Sequence, residues 1–383
     1  MRSEPVSSPG DQPLRARYAI LRGSRAVVCS FLASRLLIIA IIVLSQMVFA
    51  PGRFGQPTGV LPVLTNWDGA WYLGIAERGY EFQPGVESNT GFFPLYPMLV
   101  RGIAPVFRNT GFAAVVLSNL FLLGAGLLLN TVVRLDFADP IISRTAVSLL
   151  MFSPVSYFFS SAYTESTFLL LSLAAFFAAS RKQWLVACLC GMALSATRNV
   201  GLLIGLPLFI EFVRQTWKRD AGCKSLLTPR ILFFALIPLG FLSFMWFTRV
   251  AFHDPLAYAH ATAVWGRKLV PPWQTIANAK SLPPFHLWVF ASLLGAALLL
   301  WATGIWLKVR LSHLVWTGLL LATYLCSNSL EAMPRYLSIV FPLFIIMAVL
   351  TTRFPGSLET IFAVSVALLT ICTALSANGY WMT

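Results

Sequence analysis

Residues 27–50 read Val27-Val28-Cys29-Ser30-Phe31-Leu32-Ala33-Ser34-Arg35-Leu36-Leu37-Ile38-Ile39-Ala40-Ile41-Ile42-Val43-Leu44-Ser45-Gln46-Met47-Val48-Phe49-Ala50, and Arg35 is their single charged residue. A helix of this length reaches across the ~30 Å hydrocarbon core of a bilayer at about 1.5 Å per residue. Arg15, Arg17, Arg22 and Arg25 precede it, as in a signal peptide, but the run is about twice as long as a cleavable apolar region. It is expected to be an uncleaved first span. Residues 1–25 would then form a basic tail, its first fourteen or so residues, rich in Pro and Ser, disordered.

The rest of the chain repeats the pattern. Hydrophobic residues make up 57% and charged residues 11% of the 383, against roughly a quarter charged in a soluble domain. Apolar segments near 27–50, 112–133, 145–160, 164–180, 184–197, 200–213, 231–251, 286–307, 312–328, 335–352 and 358–378 predict eleven spans, give or take two, because Pro and Gly interrupt several. The fold class is therefore all-α: a polytopic membrane protein of about 9–12 transmembrane helices, with 26–383 as a single transmembrane domain. The net charge of +14 does not point to nucleic acid, because the basic residues sit in short clusters between apolar runs. With the N-terminus in the cytoplasm, seventeen Lys and Arg fall inside and ten outside, as the positive-inside rule requires. The run Phe92–Phe107 carries Arg101 and three prolines, and is expected to lie along the outer surface rather than to cross. The six cysteines, mostly in apolar runs, suggest neither a disulfide framework nor a zinc site.

In this arrangement every polar island falls on the outer side: Asn66-Trp67-Asp68-Gly69, Tyr163-Thr164-Glu165-Ser166, Thr197-Arg198-Asn199, His253-Asp254-Pro255 and Glu331 through Tyr336. Ionisable groups at membrane depth are costly and mark functional sites. The large outer loop, 51–111, is the richest. Asp68 suits a general base, with Trp67, Trp71 and Tyr72 as aromatic platforms; equally, Asp68 is a helix N-cap and the tryptophans an interfacial belt. Glu77 lies nine residues on, about two and a half helical turns, so that it points elsewhere than Asp68, and reads equally as a solvated acid. Glu165 heads a span, where a helix N-terminus favours its charge. Arg198 and Arg335, at breaks between apolar runs, fit a lipid phosphate, or else snorkel or pair with an acid such as Glu331. His253 and Asp254 form an acid–base or metal pair, or a plain turn. With four histidines and no repeated ligand spacing, no metal site is expected.

Taken in order, these strings resemble the PIG-V-type mannosyltransferases, the second mannosyltransferases of GPI-anchor synthesis and their bacterial relatives. The resemblance rests on Asn66-Trp67-Asp68-Gly69-Ala70-Trp71-Tyr72-Leu73-Gly74-Ile75-Ala76-Glu77-Arg78-Gly79-Tyr80 and Phe92-Phe93-Pro94-Leu95-Tyr96-Pro97. It continues through Ser153-Pro154-Val155-Ser156, Tyr163-Thr164-Glu165-Ser166, Arg198-Asn199-Val200-Gly201, Pro334-Arg335-Tyr336 and Phe341-Pro342-Leu343. What it implies is a GT-C-type glycosyltransferase fold with a large first outer loop and its site on the non-cytoplasmic face. It further implies a polyprenyl-phosphate sugar donor and inverting transfer with Asp68 assisting the acceptor hydroxyl. It does not fix the acceptor, which is expected to be a glycan or glycolipid; membrane lipids as surroundings and no cofactor beyond the lipid-linked donor are expected. Tyr163, Glu165, Arg198, Arg335 and Tyr336 would line the cleft, Arg335 nearest the phosphate. The absence of an Asn-x-Ser/Thr sequon leans towards a bacterial inner membrane, with the endoplasmic reticulum as the alternative. The rival readings are a lipid or solute transporter, although no internal repeat is evident, and a transferase of acyl or phosphoryl groups built on His253 and Asp254.

Overall fold

The computed structural model describes residues 11–49, 57–218 and 226–380. The tail residues 1–10, Arg53, Arg219, Cys223 and Lys224 lie outside the described residues. Helices follow one another without an intervening strand among the described residues: α1 Asp11–Val48, α2 Val60–Thr65, α3 Asp68–Arg78, α4 Leu95–Phe107, α5 Thr110–Asp136, α6 Pro140–Met151, α7 Glu165–Ser180, α8 Trp184–Ser195 and α9 Gly205–Thr216. The second half comprises α10 Ile237–Phe252, α11 Ala257–Val264, α12 Pro272–Asn278, α13 Pro284–Trp306, α14 Leu311–Leu325, α15 Met333–Ser338, α16 Phe341–Arg353 and α17 Ser357–Ala377. The first helix starts at Asp11, so the segment expected to be disordered to about residue 14 is partly helical.

Five segments are long and apolar enough to cross a membrane: 23–48, 110–136, 229–252, 286–306 and 357–377. Each of the other expected spans carries a shorter helix; a 3₁₀ turn, Asn199–Ile204, lengthens the one at α9, just as Pro229–Leu236 completes the long segment at α10. The expected span 145–160 stops at Met151, because Pro154 has no N–H to give and biases Ser153 away from helix. Large apolar side chains face outward along the long helices, among them Leu36, Met47, Trp246, Trp288 and Leu299. An apolar surface this continuous is solvated by lipid, not water.

Helix α7 is the axis of the bundle; Phe168, Leu169, Leu173, Ala175 and Ala179 are fully buried. Phe168 stacks on Trp316 of α14 with centroids 6.0 Å apart. On the neighbouring α5, Gly126 leaves room for side chains of α6 and α1: a Cβ there would stand 2.5 Å from Met151 Cε and 3.1 Å from Val27 Cγ1.

Polar side chains gather at the two ends of the bundle. At one end, Arg310 Nη1 donates to Asp136 Oδ1 at 3.1 Å and Nη2 to Glu211 Oε1 at 2.8 Å, tying α5, α9 and α14. Arg214 also pairs with Glu211, and the Gln215 amide donates to the Ala179 carbonyl at 3.0 Å. At the other end lie the starts of α3, α5, α7 and α15. The α4 helix stays at that end. Its Leu95 N–H donates to the Ala196 carbonyl at 3.0 Å, and just beyond its C-terminus Gly111 faces Thr65 and Leu73. Thirteen residues make about 20 Å of helix, short of a bilayer core.

Candidate active site

The segment that links α6 to α7 leaves the α-helical pattern after Met151 and continues as a 3₁₀ turn, Ser156–Phe159, held in place by a buried cation. Arg35 of α1 donates from Nη1 to the Ser156 carbonyl at 2.9 Å and to Ser160 Oγ at 2.8 Å, and from Nη2 to the Met151 carbonyl at 3.1 Å. Ser160 Oγ passes the chain on to Asn119 Oδ1 of α5 at 2.8 Å. The segment in turn docks the outer loop: the Ala162 N–H donates to the Leu64 carbonyl at 2.8 Å, and Tyr163 Oη to the Asn66 carbonyl at 3.2 Å. Gly69 permits this approach, since a Cβ there would lie 3.3 Å from the Tyr163 ring. Between α2 and α3, Trp67 takes φ 56°, a left-handed value rare for a bulky residue, and the turn aims Asp68 across the bundle.

Asp68 opens α3 without capping it; Trp67 holds the cap position and makes no side-chain cap bond. The carboxylate instead meets Arg335 of α15, whose Nη1 donates to Asp68 Oδ2 at 2.5 Å. Arg335 Nε lies 3.2 Å from Glu165 Oε1, and Arg198 Nη1 donates to that same oxygen at 2.9 Å. Four charges from α3, α7, α15 and the break after α8 thus alternate in one chain: Asp68, Arg335, Glu165, Arg198. Glu165 is 2% exposed, Arg335 11%, Arg198 15% and Asp68 33%, so the chain rises from the core to an accessible carboxylate.

Aromatic rings wall this chain. The Arg335 guanidinium sits 5.4 Å from the Tyr163 centroid, 5.5 Å from Tyr336 and 5.9 Å from Phe158; Arg198 lies 5.2 Å from Tyr336. Such contacts strengthen where water is excluded. Tyr72, one turn beyond Asp68, shares a hydrogen bond with Thr164 Oγ1 at 3.4 Å. Burial pushes its phenol above the ordinary value, Arg198 opposing and Glu165 and Asp68 adding to the rise, so Tyr72 keeps its proton.

The structure therefore gathers Asp68, Tyr72, Tyr163, Glu165, Arg198, Arg335 and Tyr336. Glu77 does not join them: it is exposed at the far end of α3 beside Arg78, 3.7 Å away. Trp71 stacks on Phe92 at 5.9 Å and meets Trp265 edge-on at 5.7 Å, lining a separate cavity of about 240 Å³ with residues of the 81–89 turn. His253 and Asp254 do not pair. Asp254 Oδ2 lies 2.6 Å from His260 Nδ1 instead, because His253 takes a left-handed backbone, φ 59°, that ends α10. Arg335 pairs with Asp68 and Glu165 rather than with Glu331, whose carbonyl accepts from Arg267 Nη1 at 3.5 Å. Among the described residues no group of three or more His, Cys, Asp or Glu is placed to hold a metal. Sequence reasoning missed Tyr324, which stacks on Tyr336 with centroids 4.8 Å apart; its one signal was a phenol near the end of an apolar run.

The family model described as "Mannosyltransferase (PIG-V)" matches residues 56–275, a stretch that contains Asp68, Glu165 and Arg198. The chain belongs to the PIG-V mannosyltransferase family. Among curated relatives, the GPI mannosyltransferase 2 of Drosophila pseudoobscura pseudoobscura is 31% identical over 163 residues, 38% of this chain and 35% of that protein. The human GPI alpha-1,6-mannosyltransferase 2 is 30% identical over 127 residues, 30% of this chain and 25% of that one. The PIG-V-family chain thus matches about a third or less of the length of these relatives. Among solved structures, ArnT from Cupriavidus metallidurans, bound to undecaprenyl phosphate, superposes with a TM-score of 0.55 at 13% identity, covering 90% of this chain and 63% of ArnT. The Archaeoglobus fulgidus oligosaccharyltransferase with a tethered acceptor peptide gives 0.51 at 11% identity, covering 92% and 55%. These likenesses establish the fold, that of the GT-C glycosyltransferases.

Proposed function

We propose that this protein is an inverting membrane mannosyltransferase that takes mannose from a polyprenyl-phosphate donor at the non-cytoplasmic face and passes it to a glycan or glycolipid hydroxyl. The observation that carries the reading is the alternating chain Asp68–Arg335–Glu165–Arg198, set beneath an amphipathic outer loop. A lipid phosphate needs cations at membrane depth, and two ring-walled guanidiniums supply them. The acceptor oxygen attacks the sugar C1 from the side opposite the phosphate, and Asp68 accepts its proton. The C1–O bond to phosphate breaks with its electron pair going to the leaving polyprenyl phosphate. Positioning and charge stabilisation supply most of the acceleration, because phosphate is already a good leaving group. The face assignment follows from the basic helix ends: Arg134, Arg181, Lys182, Arg214 and Arg310 gather opposite the site, where the positive-inside rule puts the cytoplasm.

The test is turnover in reconstituted vesicles with radiolabelled polyprenyl-phosphate mannose and a membrane-lipid extract, run beside Asp68→Asn. Label in a new glycosidic product with wild type alone supports the reading. Equal transfer by both removes Asp68 as the base. Label crossing the bilayer unchanged, without a product, would make the protein a transporter.

A further inference from the structure

The chain of four charges makes two demands on one side chain. Each guanidinium already faces a carboxylate, so the formal charges of Asp68, Arg335, Glu165 and Arg198 sum to zero. A phosphate that binds here must take hydrogen bonds from a guanidinium that is engaged elsewhere. The two carboxylates are not equally easy to displace. Glu165 is anchored at the start of α7, is almost fully buried, and holds both arginines through one oxygen, Oε1, at 2.9 and 3.2 Å. Asp68 is one-third exposed and touches Arg335 through Nη1 alone. The Asp68–Arg335 contact is the one that gives way.

We propose that Arg335 is shared between the base and the donor: the donor phosphate competes with Asp68 for Nη1, and donor binding releases Asp68 to act. The proposal rests on the reading of the site given above and adds an order of events to it. While Nη1 holds Asp68 Oδ2, that oxygen is occupied and turned to the guanidinium. Moving Nη1 to the phosphate frees Oδ2 to take a hydrogen bond from the acceptor hydroxyl at the moment the sugar is in place. The acceptor O–H then gives its proton to the freed carboxylate while its oxygen bonds to C1 and the phosphate departs. Glu165 is a positioning residue in this scheme. It keeps Arg335 Nε fixed while Nη1 changes partner, and the Tyr163, Tyr336 and Phe158 rings hold the guanidinium in place.

Binding of undecaprenyl phosphate to the detergent-solubilised full chain tests this without requiring turnover. Asp68→Asn, nearly isosteric, is expected to bind about tenfold more tightly than wild type, the worth of a partly buried ion pair. In an Arg335→Gln background, or Arg335→Lys should the first not fold, the same Asp68→Asn change is expected to give no gain. Glu165→Gln is expected to bind more weakly than wild type, since the brace is lost. Equal affinity of wild type and Asp68→Asn overturns the sharing while leaving the glycosyltransferase reading intact. A gain that persists without Arg335, or that Glu165→Gln reproduces, means simple charge repulsion and overturns it as well. No binding to wild type or any variant overturns the lipid-phosphate reading itself, and this proposal with it.

Discussion

Arg335 stands 267 residues from Asp68 along the chain and 2.5 Å from it in space. Their contact joins α3 to α15 beside Glu165 at the start of α7. A guanidinium with its rigid fork and flat face is not replaced by an ammonium. Arg335→Lys is therefore expected to raise the KM for the polyprenyl-phosphate donor about tenfold or more while leaving the helix content unchanged. Steady-state kinetics with circular dichroism check it, and an unaltered KM would remove Arg335 from donor binding.

Arg35 is a buried cation whose partners are carbonyls and hydroxyls from the end of α6 and the 3₁₀ turn that follows it. Arg35→Met keeps much of the volume but strands those acceptors, at a cost of about 2–4 kcal/mol. A fall in thermal midpoint of several degrees is expected, with a loss of turnover steeper than the loss of folded protein, because the segment also positions Tyr163 and Glu165. Arg35→Lys should recover part of both.

Gly201 follows the extended break that presents Arg198. A Cβ there would stand 2.3 Å from the Leu194 carbonyl oxygen, backbone that no rotamer change can move aside. Gly201→Ala is expected to destabilise the protein by about 2 kcal/mol or more and to weaken polyprenyl-phosphate binding, as Arg198 is displaced. Thermal unfolding with and without the lipid phosphate reads both effects.

At the opposite end, Arg310 holds Asp136 and Glu211 together. Arg310→Ala leaves Glu211 buried with one arginine, Arg214, and is expected to cost about 3 kcal/mol, the lower part of the range for a broken buried pair. Its donor KM should stay at the wild-type value. A changed KM with normal stability would mean that this cluster communicates with the site.

The orientation is open to direct labelling in a cysteine-free background. Val86, exposed in the outer loop, and Lys308, exposed between α13 and α14, are each changed to Cys. An impermeant maleimide added outside sealed cells should label position 86 and not 308. The reverse pattern would place the site on the cytoplasmic face.

Much of this site was legible because charge is scarce in an apolar chain. Asp68, Glu165, Arg198 and Arg335 stood out as interruptions of hydrophobic runs, and lipid leaves few other reasons for them to be there. Their pairing was not legible: nothing local to Arg335 says that its partners are Asp68 and Glu165 rather than Glu331 four residues away. Asp136, Glu211 and Arg310 were hidden for another reason. An ion cluster at the end of several helices looks, segment by segment, like ordinary flanking charge. The ends of the helices were blurred where 3₁₀ turns continue an apolar run, as before α9 and α10, since hydropathy does not distinguish the two geometries. Glu77 stands apart from Asp68 because nine residues carry it about two and a half turns along α3, to the opposite face, where it is exposed beside Arg78.

Every biological membrane surrounds such a cleft with phospholipid headgroups in vast excess over any carrier lipid. Two unaccompanied arginines at that depth would be occupied permanently by the first phosphodiester to drift past. Matching each of them with a carboxylate removes the net field that would draw anionic lipids in. It also sets a threshold, because only a ligand that offers more than a bulk headgroup can displace Asp68. The proposed donor is itself a phosphodiester, so what it offers beyond a bulk headgroup is its sugar. On that reading the internal ion pairs act as a filter against the lipids that surround the site.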